Sequence, residues 1–381
     1  MSGILETAQN AISSVTQQVA NLTTNAKEQA STTTAAVKHA DMSHVTPNPP
    51  IIFFHYPFSP WSQKVTAYLA LRGIPYTSCE QPLTMPRPNL ASLGVSYRRI
   101  PVMSIGRDIY CDTLLMLEKI DQLFPYGQYG NGIQVSQATP QNKALERLLE
   151  KWTDVVVFKF AAAAIPPTHP AIGNKDFTDD RKALWGREWT FEHQSSLRPE
   201  ALSVLRANMA FLEHDLLTDG RDWIFAEDKQ PGLADIHAAW IFTWLRDMDD
   251  ALPTNIFSRE IYPKTWAWFD RYQKAIKEAM KKHEPNVRNI TGDEAVKEIT
   301  SGPFGDKVSV DPKDPTGLKE GDKAVAFPID TGFNNKDKGK LVGLRVQETV
   351  LEVNADAAHG GVPIHVHHPR WNFAVEADKS S

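Results

Sequence analysis

Three hydroxyl side chains surround the point where a buried strand leads into a helix. The apolar run 51–54 predicts the strand, and the helix begins close after Ser59. A helix N-terminus presents free backbone N–H groups and the positive end of the helix dipole. A hydroxyl there can cap the helix and donate a hydrogen bond to an anion. Ser59 is the first candidate for this donor, Ser62 is the second, and Tyr56 is the third.

A thiolate is one anion that such a donor would stabilise. Lowering a thiol pKa by ~2 units from ~8.5 is worth ~2.7 kcal/mol, and it makes the thiolate the major form near pH 7. The alternative is that Ser59 and Ser62 are plain N-caps. The residue types alone leave both interpretations open.

The elements around these hydroxyls alternate between strand and helix. A helix over 62–72 closed by Gly73 and a strand over 75–80 follow the first strand. A short turn at Gly106 and Arg107 separates two further strands, and a helix over 113–124 stops before Pro125. This order predicts an α/β thioredoxin-like domain at residues 49–128.

Residues 129–290 carry helical patterns almost throughout and predict an all-α domain. The predicted helices cover 144–164, 177–190, 199–217, 234–249 and 263–282. Gly232 and Asp235 form a capping segment at the start of one of them, where Asp235 can reach back to free N–H groups. The many tryptophans of this region are expected mostly to fill the core.

The motifs together resemble the glutathione S-transferase family over about residues 51–282. They are Ser59-Pro60-Trp61-Ser62, Ile100-Pro101, Asp112-Thr113 and the segment 231–236. Redox relatives of that family carry cysteine at the positions of Ser59 and Ser62, and a serine cannot form the mixed disulfide that thiol–disulfide exchange requires. The resemblance therefore implies a serine-type protein that stabilises a bound thiolate.

The resemblance also implies glutathione as co-substrate and names the residues that hold it. Ile100 would offer its backbone to the cysteinyl part, next to a cis peptide bond at Pro101. Asp112 and Thr113 would hold the γ-glutamyl ammonium and carboxylate, with threonine in place of the usual serine. From the residues alone, an ordinary trans proline and a simple helix cap are the alternatives.

An acceptor pocket is expected between the two domains, as is usual for small molecules. Trp61, Phe158 and Trp152 are its candidate wall residues. Cys111 lies beside a helix N-terminus, so it is either a low-pKa thiol or a buried, inert cysteine.

Residues 1–48 are rich in Ala, Thr, Ser and Gln. One apolar stripe follows a helical spacing through Leu5, Ala8, Ile12, Val15, Val19, Leu22 and Ala26. A partly helical tail, a short coiled coil and a helix lying on a lipid surface are the competing interpretations. Prolines at 47, 49 and 50 mark a linker.

Residues 291–381 carry short strand patterns that predict a small all-β module, for which a compact barrel is one form. His359, His365, His367 and His368 could bind zinc, but no carboxylate or cysteine nearby in sequence completes a familiar site. Because His365 and His367 alternate with apolar residues, they also fit the solvent-exposed face of an edge strand. We therefore predict no metal.

Composition limits the partners and the location. A net charge of −5 over 381 residues gives no electrostatic case for nucleic acid. Two cysteines can form only one disulfide bond, which is too few to stabilise a chain of this length. No apolar run reaches the ~18 residues of a membrane span. The N-terminus lacks a secretory pattern, so we predict a cytoplasmic protein.

The combined prediction is a glutathione transferase-like enzyme that conjugates the thiol to a hydrophobic, electrophilic small molecule. The family implies a homodimer. The alternative is a non-catalytic member that uses the fold as a protein- or lipid-surface-binding module, since one fold supports many functions.

Overall fold

A computed structural model describes residues 50–125 and 139–379 of the chain. The apolar stripe predicted over residues 5–26 lies outside these ranges. Among the helices within them, none is both long enough and apolar enough to cross a bilayer.

The first part of the described chain is the predicted thioredoxin-like unit. Its elements are β1 (Ile51–His55), α1 (Pro60–Arg72), β2 (Tyr76–Glu80), α2 (Pro88–Ser92), β3 (Val102–Ile105), β4 (Asp108–Cys111) and α3 (Thr113–Leu123). Strand β1 pairs in parallel with β2 and antiparallel with β3, which pairs antiparallel with β4. The α/β prediction is confirmed.

Two glycines of this unit stand where the backbone must turn left-handed. Gly73 ends α1 with φ of +66°, and Gly106 makes the β3–β4 turn with φ of +60°. Both conformations strain a residue with a Cβ atom. A Cβ at Gly106 would also collide with the Pro303 carbonyl, so the turn is tied to a segment far along the chain.

The second part of the chain is helical. It comprises α4 (Pro140–Lys151), a π-helical segment (Trp152–Val157), α5 (Phe158–Ala164), α6 (Lys175–Trp185), α7 (Phe191–Phe211), a second π-helical segment (Leu212–Leu216), α8 (Leu233–Arg246), α9 (Thr254–Phe257) and α10 (Pro263–His283), with short 3₁₀ turns at Pro170–Gly173 and Glu284–Asn286. The all-α prediction is confirmed.

Two helix boundaries differ by five residues or more from the sequence prediction and have a clear local cause. The helix expected to reach 190 ends at Trp185, because Gly186 takes a left-handed conformation with φ of +67°. The helix expected to start at Pro199 starts at Phe191 instead. Its N-cap is Thr190, whose hydroxyl accepts from the His193 N–H at 3.2 Å, and Pro199 is therefore interior.

Asp235 performs the folding role predicted for it. Its carboxylate accepts hydrogen bonds from the Gly232 N–H at 2.9 Å, the Ile224 N–H at 3.0 Å and the Trp268 indole N–H at 2.8 Å. The side chain is fully buried, so these three donors satisfy it where water cannot.

The C-terminal extension continues the same sheet. It contains β5 (Val287–Asn289), α11 (Gly292–Ser301), β6 (Lys323–Pro328), β7 (Asp337–Leu344), β8 (Glu348–Asn354), β9 (Pro363–Pro369) and β10 (Phe373–Ala377). In the described residues the ten strands are ordered β10-β6-β7-β8-β9-β4-β3-β1-β2-β5. A strand-rich C-terminus is confirmed, but it is not a separate barrel, because β9 pairs in parallel with β4.

Strand β9 is an interior strand, since it lies between β8 and β4. His365, His367 and His368 are buried on it, so the interpretation as the wet face of an edge strand was wrong. The sequence alternation was real, but the polar face meets buried carboxylates from other strands. His367 contacts Asp108 at 2.9 Å and Glu348 at 2.7 Å.

Strand β1 is buried on both faces of the sheet. Alternate residues of β1 point to opposite sides: Ile51 and Phe53 pack toward the helical part, while Ile52 and Phe54 pack toward α11 and β9. The site below lies on the helical side, at the end of β1.

Candidate active site

Ser59 is both the N-cap of α1 and a wall residue of a cavity of about 900 Å³. Its backbone is extended (φ −68°, ψ 119°), and its Oγ accepts from the Ser62 N–H at 3.2 Å. The N-cap interpretation is therefore confirmed for Ser59, but it was wrong for Ser62, which lies inside α1. A serine hydroxyl accepts and donates at once, so the cap leaves the O–H free to donate into the cavity that Ser59 lines.

The other two candidate hydroxyls lie differently. Tyr56 also lines the cavity and is half-buried. Ser62 does not appear among the described residues that line it. The Ser62 hydroxyl is buried and has no hydrogen-bond partner within residues 50–125 and 139–379. The geometry thus favours Ser59 as the donor.

Ile100 and Pro101 line the same cavity, just before β3. The peptide bond between them is cis, as the family resemblance implies.

Asp112 and Thr113 complete this wall at the start of α3. Asp112 is the N-cap, has φ of +71°, and accepts from the Leu114 N–H at 3.1 Å. Burial raises the pKa of its carboxyl, while Arg99 opposes that rise. The Thr113 hydroxyl is buried without a partner in the described chain. A buried, unpaired hydroxyl on a cavity wall is available to a ligand.

Arg99, a residue that the sequence analysis did not single out, connects this wall to the C-terminal extension. Arg99 lies 3.4 Å from the Asp112 carboxylate and also donates to the Thr331 carbonyl at 2.6 Å and to Asp330. Asp330 and Thr331 both line the cavity. Arg99 directly precedes Ile100-Pro101, which was a usable signal, but nothing in the sequence pointed to Asp330.

The cavity has a volume of about 900 Å³, and aromatic side chains form part of its wall. They include Trp61, Phe158, Phe177, Trp185, Trp189 and Trp244. Trp61 and Phe158 are therefore placed as predicted. Trp152 is not: within the described residues it packs on Phe211, with ring centroids 5.2 Å apart, and its indole donates to Asn208 at 2.7 Å.

Of the two interpretations of Cys111, which directly precedes Asp112, the structure supports the buried cysteine over the low-pKa thiol. Its side chain is fully buried, and burial raises the pKa of its thiol well above the usual range. The low-pKa interpretation was wrong because the thiol is packed in a buried apolar cluster, where burial outweighs the effect of the nearby N-terminus of α3.

A buried lysine contacts two carboxylates, one of which lines the cavity. The Lys64 Nζ is 2.7 Å from Asp154 and 3.6 Å from Glu150, and Asp154 lines the cavity. Burial raises the pKa of both carboxyls. One ammonium cannot neutralise two buried carboxylates, so the more distant one, Glu150, holds a proton near neutral pH.

Glu150→Gln is therefore expected to remove a pH dependence of stability. The folded state raises the pKa of Glu150 to about 8 from 4.5, so between these values the folded protein binds more protons than the unfolded one. Wild-type stability should fall by roughly 3 kcal/mol as pH rises from 5 to 8, relative to Glu150→Gln, because one extra bound proton is worth ~1.4 kcal/mol per pH unit. Denaturant unfolding across that range measures the difference. Glu118→Gln is the control, and equal slopes in all three proteins would contradict the assignment.

Residues 53–131 match the family described as the glutathione S-transferase N-terminal domain, and they include Ser59, Pro101 and Thr113. This part of the chain is similar to the N-terminal domain of glutathione S-transferases. Residues 160–281 of this glutathione S-transferase-like chain match a domain of unknown function, DUF7962.

Individual proteins named glutathione S-transferase are similar to this chain at low sequence identity. Glutathione S-transferase U8 of Arabidopsis thaliana is 23% identical over 232 residues, which are 60% of this chain and 88% of that protein. A probable glutathione S-transferase of Solanum tuberosum is 24% identical over 216 residues, 56% of this chain and 82% of that protein.

One solved structure extends the similarity further. The crystal structure of a GST-like protein from Pseudomonas syringae matches with a TM-score of 0.58 and 26% identity, covering 86% of this chain and 99% of that one. Residues 1–290 make up only about three quarters of the glutathione S-transferase-like chain, so this match reaches into the C-terminal extension.

Proposed function

We propose that this chain is a serine-type glutathione transferase, which lowers the pKa of the glutathione thiol and joins its sulfur to an electrophilic small molecule. One observation carries the proposal: Ser59, the cis Ile100–Pro101 bond and the Asp112–Thr113 pair line a single cavity. The relatives named glutathione S-transferase support it.

Each wall residue has a role that its chemistry suits. The Asp112 carboxylate would accept from the γ-glutamyl ammonium, and the unpaired Thr113 hydroxyl would donate to the neighbouring carboxylate. The Ile100 backbone would hold the cysteinyl unit. That arrangement would bring the sulfur toward the N-terminus of α1, where the Ser59 O–H donates to it.

The reaction step needs only proton loss and one new bond. The thiol releases its proton to solvent, and a sulfur lone pair then forms a bond to the electrophilic carbon. The leaving group departs with its bonding pair, and Ser59 stays neutral throughout because it only donates a hydrogen bond. The aromatic wall formed by Trp61, Phe158 and Trp185 favours a hydrophobic, aromatic electrophile.

Calorimetric titration with glutathione tests the binding part. Wild type is expected to bind at or below millimolar concentrations, and Thr113→Val should weaken binding about 10-fold or more, because a hydrogen bond to a charged group is worth ~1.5–3 kcal/mol. Thr300→Val is the matched control, since that hydroxyl is bonded to the Val296 carbonyl at 2.8 Å and lies away from the cavity. Failure of wild type to bind millimolar glutathione would refute the proposal.

That failure would favour the alternative, a non-catalytic binding module of the same fold.

A cytoplasmic location and a homodimer are part of the proposal and rest on the resemblance. Light scattering of the purified chain tests the dimer.

A further inference from the structure

Three side chains of metal-ligating type meet where the extension joins the thioredoxin-like sheet. Cys111 ends β4, Asp337 begins β7, and His368 lies near the end of β9. All three are buried, at 0% exposure each. One potential ligand atom from each (a sulfur, a carboxylate oxygen and a ring nitrogen) lies within 4.8 Å of the other two.

The atoms that face one another here lack hydrogen-bond partners. Both ring nitrogens of His368 and the Asp337 Oδ2 atom are buried and unpaired among the residues the structure describes. The Nε2–Oδ2 distance is 3.2 Å, yet the two atoms are not aligned as a hydrogen bond. Leaving such polar atoms unpaired in the interior costs ~1–3 kcal/mol each, so their convergence calls for a ligand.

The other oxygen of Asp337 fixes the direction of this carboxylate. Its Oδ1 accepts from the backbone N–H groups of Tyr97, at 3.1 Å, and Ser96. Both groups precede the cis Ile100–Pro101 bond by a few residues. Asp337 is thereby held with Oδ2 turned toward His368 and Cys111.

We propose that Cys111, Asp337 and His368 bind a Zn²⁺ ion. Thiolate, imidazole and carboxylate are the ligands that zinc takes in proteins, at ~2.0–2.3 Å. A tetrahedron with such bonds has edges of ~3.3 Å between N and O ligands, which the 3.2 Å Nε2–Oδ2 separation matches. Binding displaces the thiol proton to solvent, and Zn²⁺ with one thiolate and one carboxylate is neutral, as a buried site requires.

The fourth position of the ion belongs to a water molecule. Thr349 lies directly opposite His368 in the β8–β9 pairing, so the two side chains share a face of the sheet. The Thr349 hydroxyl is buried and has no partner in the described ranges. A water bound to the ion would give this hydroxyl a hydrogen bond.

The neighbouring group of Asp108, His365 and His367 is a weaker candidate for the ion. The two ring nitrogens of His367 are already bonded to Asp108, at 2.9 Å, and to Glu348, at 2.7 Å. Lys119 also contacts Glu348, at 3.1 Å, so this place already holds a cation. Its polar groups mostly pair with one another, whereas those around Cys111 do not.

Metal analysis of the full chain, purified without chelator, tests the proposal. Wild type is expected to hold about one zinc per chain. Cys111→Ala and His368→Ala should lower the content at least 10-fold, and Cys79→Ala should not. Cys79 is the matched control because it is also buried, on β2, and its sulfur contacts Gln81 instead. Zinc near zero in wild type, after incubation with Zn²⁺ and desalting, would overturn the proposal.

A second measurement on wild type alone covers the case in which the variants fail to fold. Replacement of the ion by Co²⁺ should give a thiolate-to-cobalt charge-transfer band together with the visible bands of a tetrahedral site. Removing the metal with a chelator should lower Tm. A Co²⁺-loaded chain without any charge-transfer band would show that Cys111 is not a ligand and would overturn the proposal equally.

Discussion

Replacing Ser59 with alanine is expected to lower kcat/KM for glutathione conjugation about 50-fold at pH 6.5. Ser59 lines the cavity, and its hydroxyl keeps a free proton while its oxygen caps α1. Without that donor the pKa of the bound thiol should return from ~6.5 to ~8.5, so the thiolate fraction falls from about one half to about one hundredth. The pH–rate profile with a chromogenic aromatic halide measures the shift directly.

The matched variant for this experiment is Ser59→Gly. Alanine removes the hydroxyl and also weakens the helix cap by ~1 kcal/mol, whereas glycine is a tolerable N-cap and removes only the hydroxyl. Both variants should show the same shift of the kinetic pKa, while only alanine loses measurable stability. An unchanged profile in both would rule out Ser59 as the donor. A shift in Ser62→Ala or Tyr56→Phe instead would assign the role to that residue.

The part of the site that was predictable from sequence is local. Ser59 follows a buried strand and precedes a helix, and backbone geometry alone makes such a residue a cap with free N–H groups in front of it. Asp112 and Thr113 are in the same position at α3. The positions of these three residues at helix starts were predictable, because a helix start depends on neighbours within one turn.

What the sequence did not predict depends on pairing between distant strands. Asp330 and Thr331 reach Arg99 only because the extension continues the sheet. The alternation of His365 and His367 was read correctly as one polar face. That face was predicted to be exposed to solvent, because Asp108, which contacts both histidines, lies more than two hundred positions earlier in the chain.

The helical part shows the same limit in its packing. Trp61 and Phe158 lie on the cavity wall as predicted. Trp152 was also predicted there, but it contacts Asn208 and Phe211 instead. A π-helical segment begins at Trp152, and its wider turn changes which side chains face the cavity. An unbroken α-helical spacing could not predict that change.

Lys64→Met is expected to be the most destabilising of the substitutions considered, by ~3–5 kcal/mol in the free energy of unfolding at pH 7. Lys64 is fully buried, and its ammonium is the partner of Asp154 at 2.7 Å and of Glu150 at 3.6 Å. Methionine fills a similar volume but leaves the carboxylates without a cation. Removing one partner of a buried ion pair costs that much because an uncompensated charge remains, or must take up a proton, in the interior.

A triple variant separates lost charge compensation from lost packing. Lys64→Met combined with Glu150→Gln and Asp154→Asn removes the lysine and both charges while nearly conserving volume. Replacing a whole buried ion cluster by neutral residues is often close to neutral for stability, so the triple variant should recover more than half of the loss. If it is as unstable as Lys64→Met alone, the loss comes from packing. The relevant contacts would then be those of the Lys64 side chain with the Trp61 and Trp240 rings, each centred 5.8 Å from its Nζ. Recovery would mean that Lys64 stabilises the fold by compensating the charge of Asp154, which lines the cavity.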